Sequence, residues 1–478
     1  MRRAAAACAL LLVGPAAQPA EPPARTIHRH FNRDDGVTGR YQYVPIDVAA
    51  GVESLTVAYR YSGDRTGDST IDLGLFEPGP LTLGTPGFRG YSGGAQRTIT
   101  VGRTLASPGY RAGPLPPGTW HVLLGLYKVA PEGVDVDIDV VESRKQQTSS
   151  DVAPRHASGD QASVALPAPA SAGPRWYSGA LHVHTNHSDG TAAPSAVASA
   201  ARSAGLDFIA ITDHNNTTWT REAMPDSPLA IVGEEVTTPG GHASVWGLPG
   251  NSWIDFRVLP TDRDAAAAIT GLVSHAHRAG ALFALNHPFS DCSGCGWQQV
   301  IPDALDAVEI WNGQAGPQAD AIALWDRLLR AGRHVTAVGT SDWHRPPAPI
   351  GDAAVRVLAN ALSTPLVIGA IRDGRVIVMR DPTTVPPSVT ARCGAGGAAI
   401  GDTLRCTPGA TINVGVGMPD GGDARAALVV NGTHETRART AGSATFETEA
   451  ADGYLRVHVI GRDGAIIAIT NPIYVSTR

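Results

Sequence analysis

Histidines and carboxylates recur along this chain at spacings that suit a metal ion. His182 and His184 stand two apart. On a strand, residues two apart project to the same face, so both imidazoles can face one ion. Asp342 and His344 repeat that spacing with one hard and one borderline ligand. Between them come Asp189, the pair Asp213 and His214, Glu235 with Glu234 beside it as the alternative, His242 and His287. A donor set rich in His and carboxylate, without thiolate, suits Zn, Mn or Fe. A carboxylate such as Glu235 has two oxygens and can bridge two ions. Two or more ions would share and activate one water, and would neutralise charge on a hydrolysed group. Ten of the 16 histidines fall between residues 174 and 344. One buried His is ordinarily a satisfied core group, but packing does not account for this joint pattern.

The elements that must position these residues are legible as strands that end on them. Leu181 leads into His182, Phe208 to Thr212 into Asp213-His214, and Ala230 to Val232 into Glu234-Glu235. Leu282 to Leu285 leads into Asn286-His287-Pro288, and His334 to Val338 into Asp342-Trp343-His344. In barrels of parallel strands, chemistry collects at the C-terminal strand ends. Helix patterns alternate with these strands over Pro194–Ala204, Asp264–Ala279 and Gln318–Ala331, each followed by a glycine suited to a C-cap. The spacing therefore predicts an α/β domain over residues 174–382. Residues 26–143 alternate in strand period and read as an N-terminal β-sandwich. Residues 144–173 read as a disordered linker, and 385–478 as a small C-terminal β-sandwich. The fold class expected is multidomain, α/β plus β.

The stretch His182-Val183-His184 to Asp189-Gly190, with Thr212-Asp213-His214, Gly233-Glu234-Glu235, Asn286-His287-Pro288 and Ser341-Asp342-Trp343-His344, resembles the motif series of the polymerase and histidinol phosphatase (PHP) superfamily. The resemblance covers roughly residues 174–345. It implies a distorted (β/α)7 barrel holding two or three divalent ions. On that likeness His182, His184, Glu235 and Asp342 would hold a first ion, and Glu235, His242 and His287 a second. Asp189, His214 and His344 would hold a third. Asp213 would orient a ligand from behind, and Asp213, Glu235 and Asp342 are the carboxylates placed in the catalytic machinery. His242 departs from the pattern, because Gly240-Gly241-His242 precedes its strand instead of ending it. Asp189 stands where some relatives carry His. Glu309-Ile310-Trp311-Asn312-Gly313, Asn286-His287-Pro288-Phe289 and the β-rich N-terminal extension resemble the carbaryl-hydrolase-like branch.

Composition narrows the remaining classes. The 478 residues predict two or three domains, and 43% hydrophobic content supplies real cores. A formal net charge of -6 leaves no basic footprint, which argues against a dedicated nucleic-acid binder. Arg2 and Arg3, the apolar run Ala4–Val13 and the small residues near Ala17 and Ala20 read as a signal peptide over residues 1–20. That predicts export, to a periplasm or the medium, and no later run is long enough for a membrane helix. In an oxidising compartment, disulfides are expected between Cys292 and Cys295 and between Cys393 and Cys406. Cys292-Ser293-Gly294-Cys295 could instead be a redox motif or half a zinc site. His187 reads as having no role, with a solvent or substrate-edge position as the alternative, His275 and His277 as part of a helix, and His334 as structural. Trp311 and Trp343 suit an aromatic wall or ordinary packing, and Arg257 and Arg345 an oxyanion contact or the surface.

Two hydrolytic reactions fit this ligand set: cleavage of a phosphoester, and cleavage of a carboxylic or carbamic ester. The substrate would be a small molecule. No clear basic cluster lies between residues 174 and 345 to clamp a phosphate, which favours the uncharged ester. A different class remains: an exported binding or adhesion protein with a vestigial metal-binding barrel. A Ser-His-Asp hydrolase is disfavoured, since no Gly-x-Ser-x-Gly elbow occurs.

Overall fold

The computed structural model describes residues 24–83, 87–145, 173–258, 265–291, 294–313, 316–418, 424–438 and 442–478. The expected signal peptide, most of the expected linker and Cys292 lie outside the described residues. The chain is multidomain and strand-rich, with few helices.

Two four-stranded sheets make up the N-terminal region. One runs in the order β1 (Arg25–Phe31), β8 (Val134–Ser143), β3 (Ser54–Tyr61), β6 (Thr98–Gly102). The other runs β2 (Tyr41–Val48), β7 (Gly118–Lys128), β4 (Thr70–Phe76), β5 (Phe88–Gly93). A short helical turn, α1 (Asp35–Thr38), precedes β2. The alternating Val, Ile and Leu residues of both sheets meet in one core, with Val57, Ile138, Val122 and Leu124 fully buried. The second sheet is apolar on its other face as well. Phe76, Phe88, Tyr91 and Leu123 on that face belong to a different core, shared with the central region.

The central sheet contains seven neighbouring strands that carry the candidate residues. In chain order these are β9 (Arg175–Val183), β10 (Phe208–Ile211), β11 (Leu229–Thr238), β12 (Gly241–Trp246), β13 (Leu282–Leu285), β14 (Ala307–Asn312) and β15 (Thr336–Thr340). β9, β10 and β11 are parallel neighbours, as are β13, β14 and β15. β12 is antiparallel to both β11 and β13. The sheet curls until the segment after β15 bridges back to the end of β9, Trp343 against Val183. Helices α2 (Pro194–Ser203), α3 (Ala265–Arg278) and α4 (Ala319–Arg330) lie where the sequence pattern placed helices. Gly205, Gly280 and Gly332 after them all take φ near +78° (+77°, +79° and +78°), the left-handed conformation a C-terminal cap needs.

Past the opposite edge of β9 come β16 (Val355–Ala359), helix α5 (Thr364–Arg372) and β17 (Val376–Met379). β17 pairs with β26 (Ile466–Thr470), so the central sheet continues without a break through β25 (Gly453–Ile460), β22 (Arg425–Val430) and β23 (Thr433–Ala438). β20 (Thr403–Arg405) joins it through β27 (Ile473–Ser476). A second layer, β19 (Gly396–Ala399), β18 (Ser388–Cys393), β21 (Thr411–Gly417) and β24 (Ser443–Glu449), packs on these strands. The C-terminal strands are thus two-layered, but one layer is an extension of the central sheet. Arg456 shows how tightly they are joined: it is fully buried, and its Nη2 donates to both carboxylate oxygens of Asp326 of α4, at 2.9 and 3.0 Å.

The expected Cys393–Cys406 disulfide is not formed. Both are free thiols in hydrogen-bond contact, Cys393 at the end of β18 and Cys406 just after β20. Cys295 is disulfide-bonded.

Candidate metal centre

All nine candidate ligands converge at one edge of the curled sheet. Parallel strands β9, β10, β11, β13 and β15 run toward that edge, so residues at or just after their ends arrive there. His242 reaches the same place by a different route. β12 runs the other way, and its second residue pairs with Thr237 near the end of β11. The departure seen in the sequence is therefore the consequence of one reversed strand.

His182 Nε2 and His184 Nε2 face each other at 3.0 Å. Asp342 Oδ1 lies 3.2 Å from both nitrogens, and the Glu235 carboxylate lies 3.2 Å from His182 Nε2 and 3.5 Å from His184 Nε2. Two donors about 2.1 Å from one tetrahedral ion lie ~3.4 Å apart. These four groups therefore have the mutual spacing of donors around a shared cation. Glu235 Oε1 also lies 3.2 Å from His242 Nδ1 and 3.4 Å from His287 Nε2, so Glu235 belongs to two donor sets. On its other side, Asp189 Oδ2 lies 3.3 Å from His344 Nε2 and 3.6 Å from His214 Nε2, and His184 Nδ1 is 3.5 Å from Asp189 Oδ1.

The donors fit metal better than they fit one another. His182 Nδ1, His287 Nδ1 and Glu235 Oε2 are buried and make no hydrogen bond, although unpaired buried polar atoms are costly. Glu235 Oε2 stands 2.8 Å from His214 Nδ1 without hydrogen-bond geometry. Burial favours the uncharged form of Glu235, yet His182, His214 and His242 hold its pKa well below the ordinary carboxylate value. Burial acts on Asp342 in the same way, and His182 and His184 likewise hold it low. Burial would lower the His182 pKa, but Asp342 and Glu235 lift it well above that of a free imidazole. His184, buried and close to His344 and His214, is pushed down to about 4. A divalent ion held by these groups would displace the protons that the imidazoles and carboxylates otherwise share.

Backbone strain marks the same residues. His287 (φ 26°) and Asp342 (φ 46°) both occupy the left-handed region, which costs energy for residues other than glycine. Both follow strand ends directly, where the turn must aim a side chain back into the centre.

A ring of supporting side chains holds the donors. Glu234 and Glu235 alternate across β11, so only one of them faces inward. Glu234 Oε2 accepts the Ile254 N–H at 2.9 Å, away from the histidines that Glu235 meets. Asn286 Nδ2 donates to Glu235 Oε1 at 2.8 Å. Asp213 touches none of the donors directly. It accepts from Thr185 N, Thr185 Oγ1 and Ser188 Oγ, each at 2.7 Å, and Ser188 Oγ stands 3.4 Å from His184 Nδ1. These bonds hold the 185–188 loop behind His184.

Glu309 was not singled out as a site residue by spacing. Its carboxylate is 1% exposed and lies 3.5 Å from His182 Nδ1. Thr340 Oγ1 and Asn312 Nδ2 donate to its Oε1, and the His287 N–H to its Oε2. Asn312 Nδ2 also reaches Asp342 Oδ2 at 3.3 Å. The available signal was the position of Glu309 on β14, between two strands that already supplied donors.

Other candidates fall away. Trp311 and Trp343 are buried, and their indole N–H groups donate to Gly313 O and Ala348 O, so neither walls the site. Arg257 is engaged by Asp255, Tyr43 and Leu81 O. Arg345 is exposed. His277 pairs with Asp306, and His334 stacks on Tyr474. His187 is buried against Glu222 and Thr218.

No curated protein matches this chain. Among solved structures, a two-domain protein containing a predicted PHP-like metal-dependent phosphoesterase from Bacteroides vulgatus aligns at 15% identity and TM-score 0.36, over 66% of this chain and 100% of its own. A putative metal-dependent phosphoesterase from Bifidobacterium adolescentis aligns at 17% identity and TM-score 0.26, over 36% and 90%. An amidohydrolase from Chromobacterium violaceum with bound sulfate and no metal aligns at 15% identity and TM-score 0.25, over 43% and 98%. Residues 180–282 match the family model of the PHP domain, and that span holds His182, His184, Asp189, Asp213, His214, Glu235 and His242.

Proposed function

We propose that this protein is an exported metal-dependent hydrolase, with the curled central sheet serving as a distorted (β/α)7 barrel between β-sandwiches. The observation that carries the proposal is the bridging place of Glu235: one buried carboxylate within 3.5 Å of five imidazoles, with one oxygen unpaired. His182, His184, Glu235 and Asp342 would hold one divalent ion and Glu235, His242 and His287 a second. Asp189, His214 and His344 would hold a third. Zn, Mn or Fe suits this donor chemistry. Such ions supply Lewis-acid polarisation and a water acidic enough to attack at neutral pH.

The chain's own residues do the positioning. Glu309 places its charge 3.5 Å from His182 Nδ1, and Asp213 fixes the 185–188 loop that carries Ser188 to His184. Asn286 and Asn312 fix the two carboxylates. Asp189 and His344, the partly exposed members, face the open side, where a leaving group would depart.

The PHP domain match supports a phosphoester as substrate. A carboxylic or carbamic ester, as in the carbaryl-hydrolase-like branch, is the second reading. It is favoured by one observation: among the described residues, the ion pairs of Asp189, Glu235 and Asp342 are with histidines and not with Lys or Arg, and Arg257 is engaged elsewhere.

The test supplies the purified protein with Mn or Zn and compares a nitrophenyl phosphate, a phosphodiester, a carboxylic ester and an aryl carbamate. More than one metal equivalent per chain, turnover lost to chelator, and His182→Ala and Asp342→Asn folded but inactive are expected. Absence of bound metal after metal-replete expression would refute the proposal. Bound metal with no turnover would leave the binding-protein alternative.

A further inference from the structure

The second sheet of the N-terminal sandwich is buried on both faces. On β7, Trp120, Val122, Leu124 and Leu126 fill the sandwich core, while Leu123 faces the central region. Strand alternation puts Gly125 and Tyr127 on the same face as Leu123. Gly125 leaves the space that Tyr91 Oη and Asp72 occupy; a Cβ there would meet them at 2.9 and 3.0 Å. Tyr127 reaches past the edge of that sheet, and its Oη stands 3.3 Å from His242 Nε2.

Two further contacts show that this approach is built in. Arg40 Nη1 donates to Tyr127 O at 2.7 Å and anchors the strand end. On the far side, Gly294 (φ +88°) lies against the phenol, where a Cβ would stand 2.5 Å from Tyr127 Oη. Its neighbour Cys295 is disulfide-bonded, which ties down the loop that meets the tyrosine. Elsewhere along the seam the Gly109 N–H donates to His187 Nδ1 at 3.1 Å, and a Cβ on Gly109 would stand 2.7 Å from His187 O.

We propose that Tyr127 is a positioning residue of the metal centre, so that the site is completed by the N-terminal sandwich. The proposal rests on reading the His and carboxylate cluster as a metal centre. His242 turns Nδ1 toward Glu235 at 3.2 Å, which leaves Nε2 for the phenol. An imidazole that gives Nδ1 to a metal carries its proton on Nε2. Tyr127 Oη accepts that N–H and fixes both tautomer and ring angle, the service an outer partner renders to a ligating histidine.

The experiment uses the full chain with Tyr127→Phe, which removes only the hydroxyl, and Tyr127→Ala. Each is titrated with Co(II) against a competing chelator, while the visible spectrum and the thermal transition of the metal-free protein are recorded. Tyr127→Phe is expected to melt with the parent. It should bind one Co(II) equivalent about tenfold more weakly, with a changed d–d spectrum. The same affinity and spectrum as the parent would overturn the assignment of Tyr127 while leaving the metal centre intact. A parent protein that takes up no Co(II) would instead overturn the reading of the centre, and Tyr127 with it. If Tyr127→Phe melts earlier with unchanged Co(II) binding, the tyrosine is only an interface residue and the proposal fails.

Discussion

Replacing Phe256 by Ala isolates the seam between the two N-terminal sheets and the central region. Phe256 lies in the loop after β12 and is fully buried. Its ring meets Tyr91 at 4.7 Å and Tyr41 at 5.9 Å, both from the sandwich. Trp253 in the same loop meets Phe88 at 5.3 Å. Truncating a buried Phe to Ala costs ~3–5 kcal/mol through lost burial and the cavity left behind. Each ring pair adds about 0.5–1.5 kcal/mol, which places Phe256→Ala near the upper end, at roughly 4–5 kcal/mol. For a cooperative unit of roughly 150–250 residues, 1 kcal/mol shifts the midpoint by about 2–4 °C. A fall of ~8–20 °C in the first thermal transition is therefore expected, with the N-terminal sheets separating before the central region melts. Differential scanning calorimetry reads both the shift and the splitting, and metal analysis of the same samples reports whether the His242 set loosens. A shift below about 2 °C, in a single transition, would refute the view that the two regions share one core at this point.

Asp72 makes a pH prediction. Burial raises its pKa to about 6, against the Tyr91 hydrogen bond and the nearby His214, Arg97 and Arg40. A folded pKa above the unfolded value of ~3.9 contributes stability below that value, and the contribution is lost as pH rises through 6. Two pKa units correspond to about 3 kcal/mol, with roughly half lost between pH 5 and 8. Asp72→Asn stays neutral throughout, so its urea midpoint should gain on the parent's as pH rises; parallel profiles would count against this. Glu309→Gln keeps the shape but removes the charge facing His182, and should weaken metal binding ~10–100-fold in chelator competition. Unchanged affinity would show that His182 needs no such partner.

Much of the site was legible because its signals are local. His182 and His184 share a face by the two-residue strand period alone, and Pro194 and Gly205 bracket their helix by capping chemistry alone. The chain order of strand-end residues also follows from local pattern. Tertiary structure decided what depends on strand direction and on contacts between distant segments. One reversed strand, β12, brings His242 to the edge where the parallel strands end. Side-chain alternation in a definite register selects Glu235 over Glu234. Glu309 earns its place through His182, 127 residues earlier in the chain, a separation that no local spacing encodes. The continuity of the central sheet into the C-terminal strands depends on the pairing of β17 with β26. The docking of a doubly buried sheet over the donors brings Tyr127 to His242, across 115 residues. A sequence fixes the donors' types and periods, but only the folded chain determines which of them meet, because that depends on strand direction, register and packing between domains.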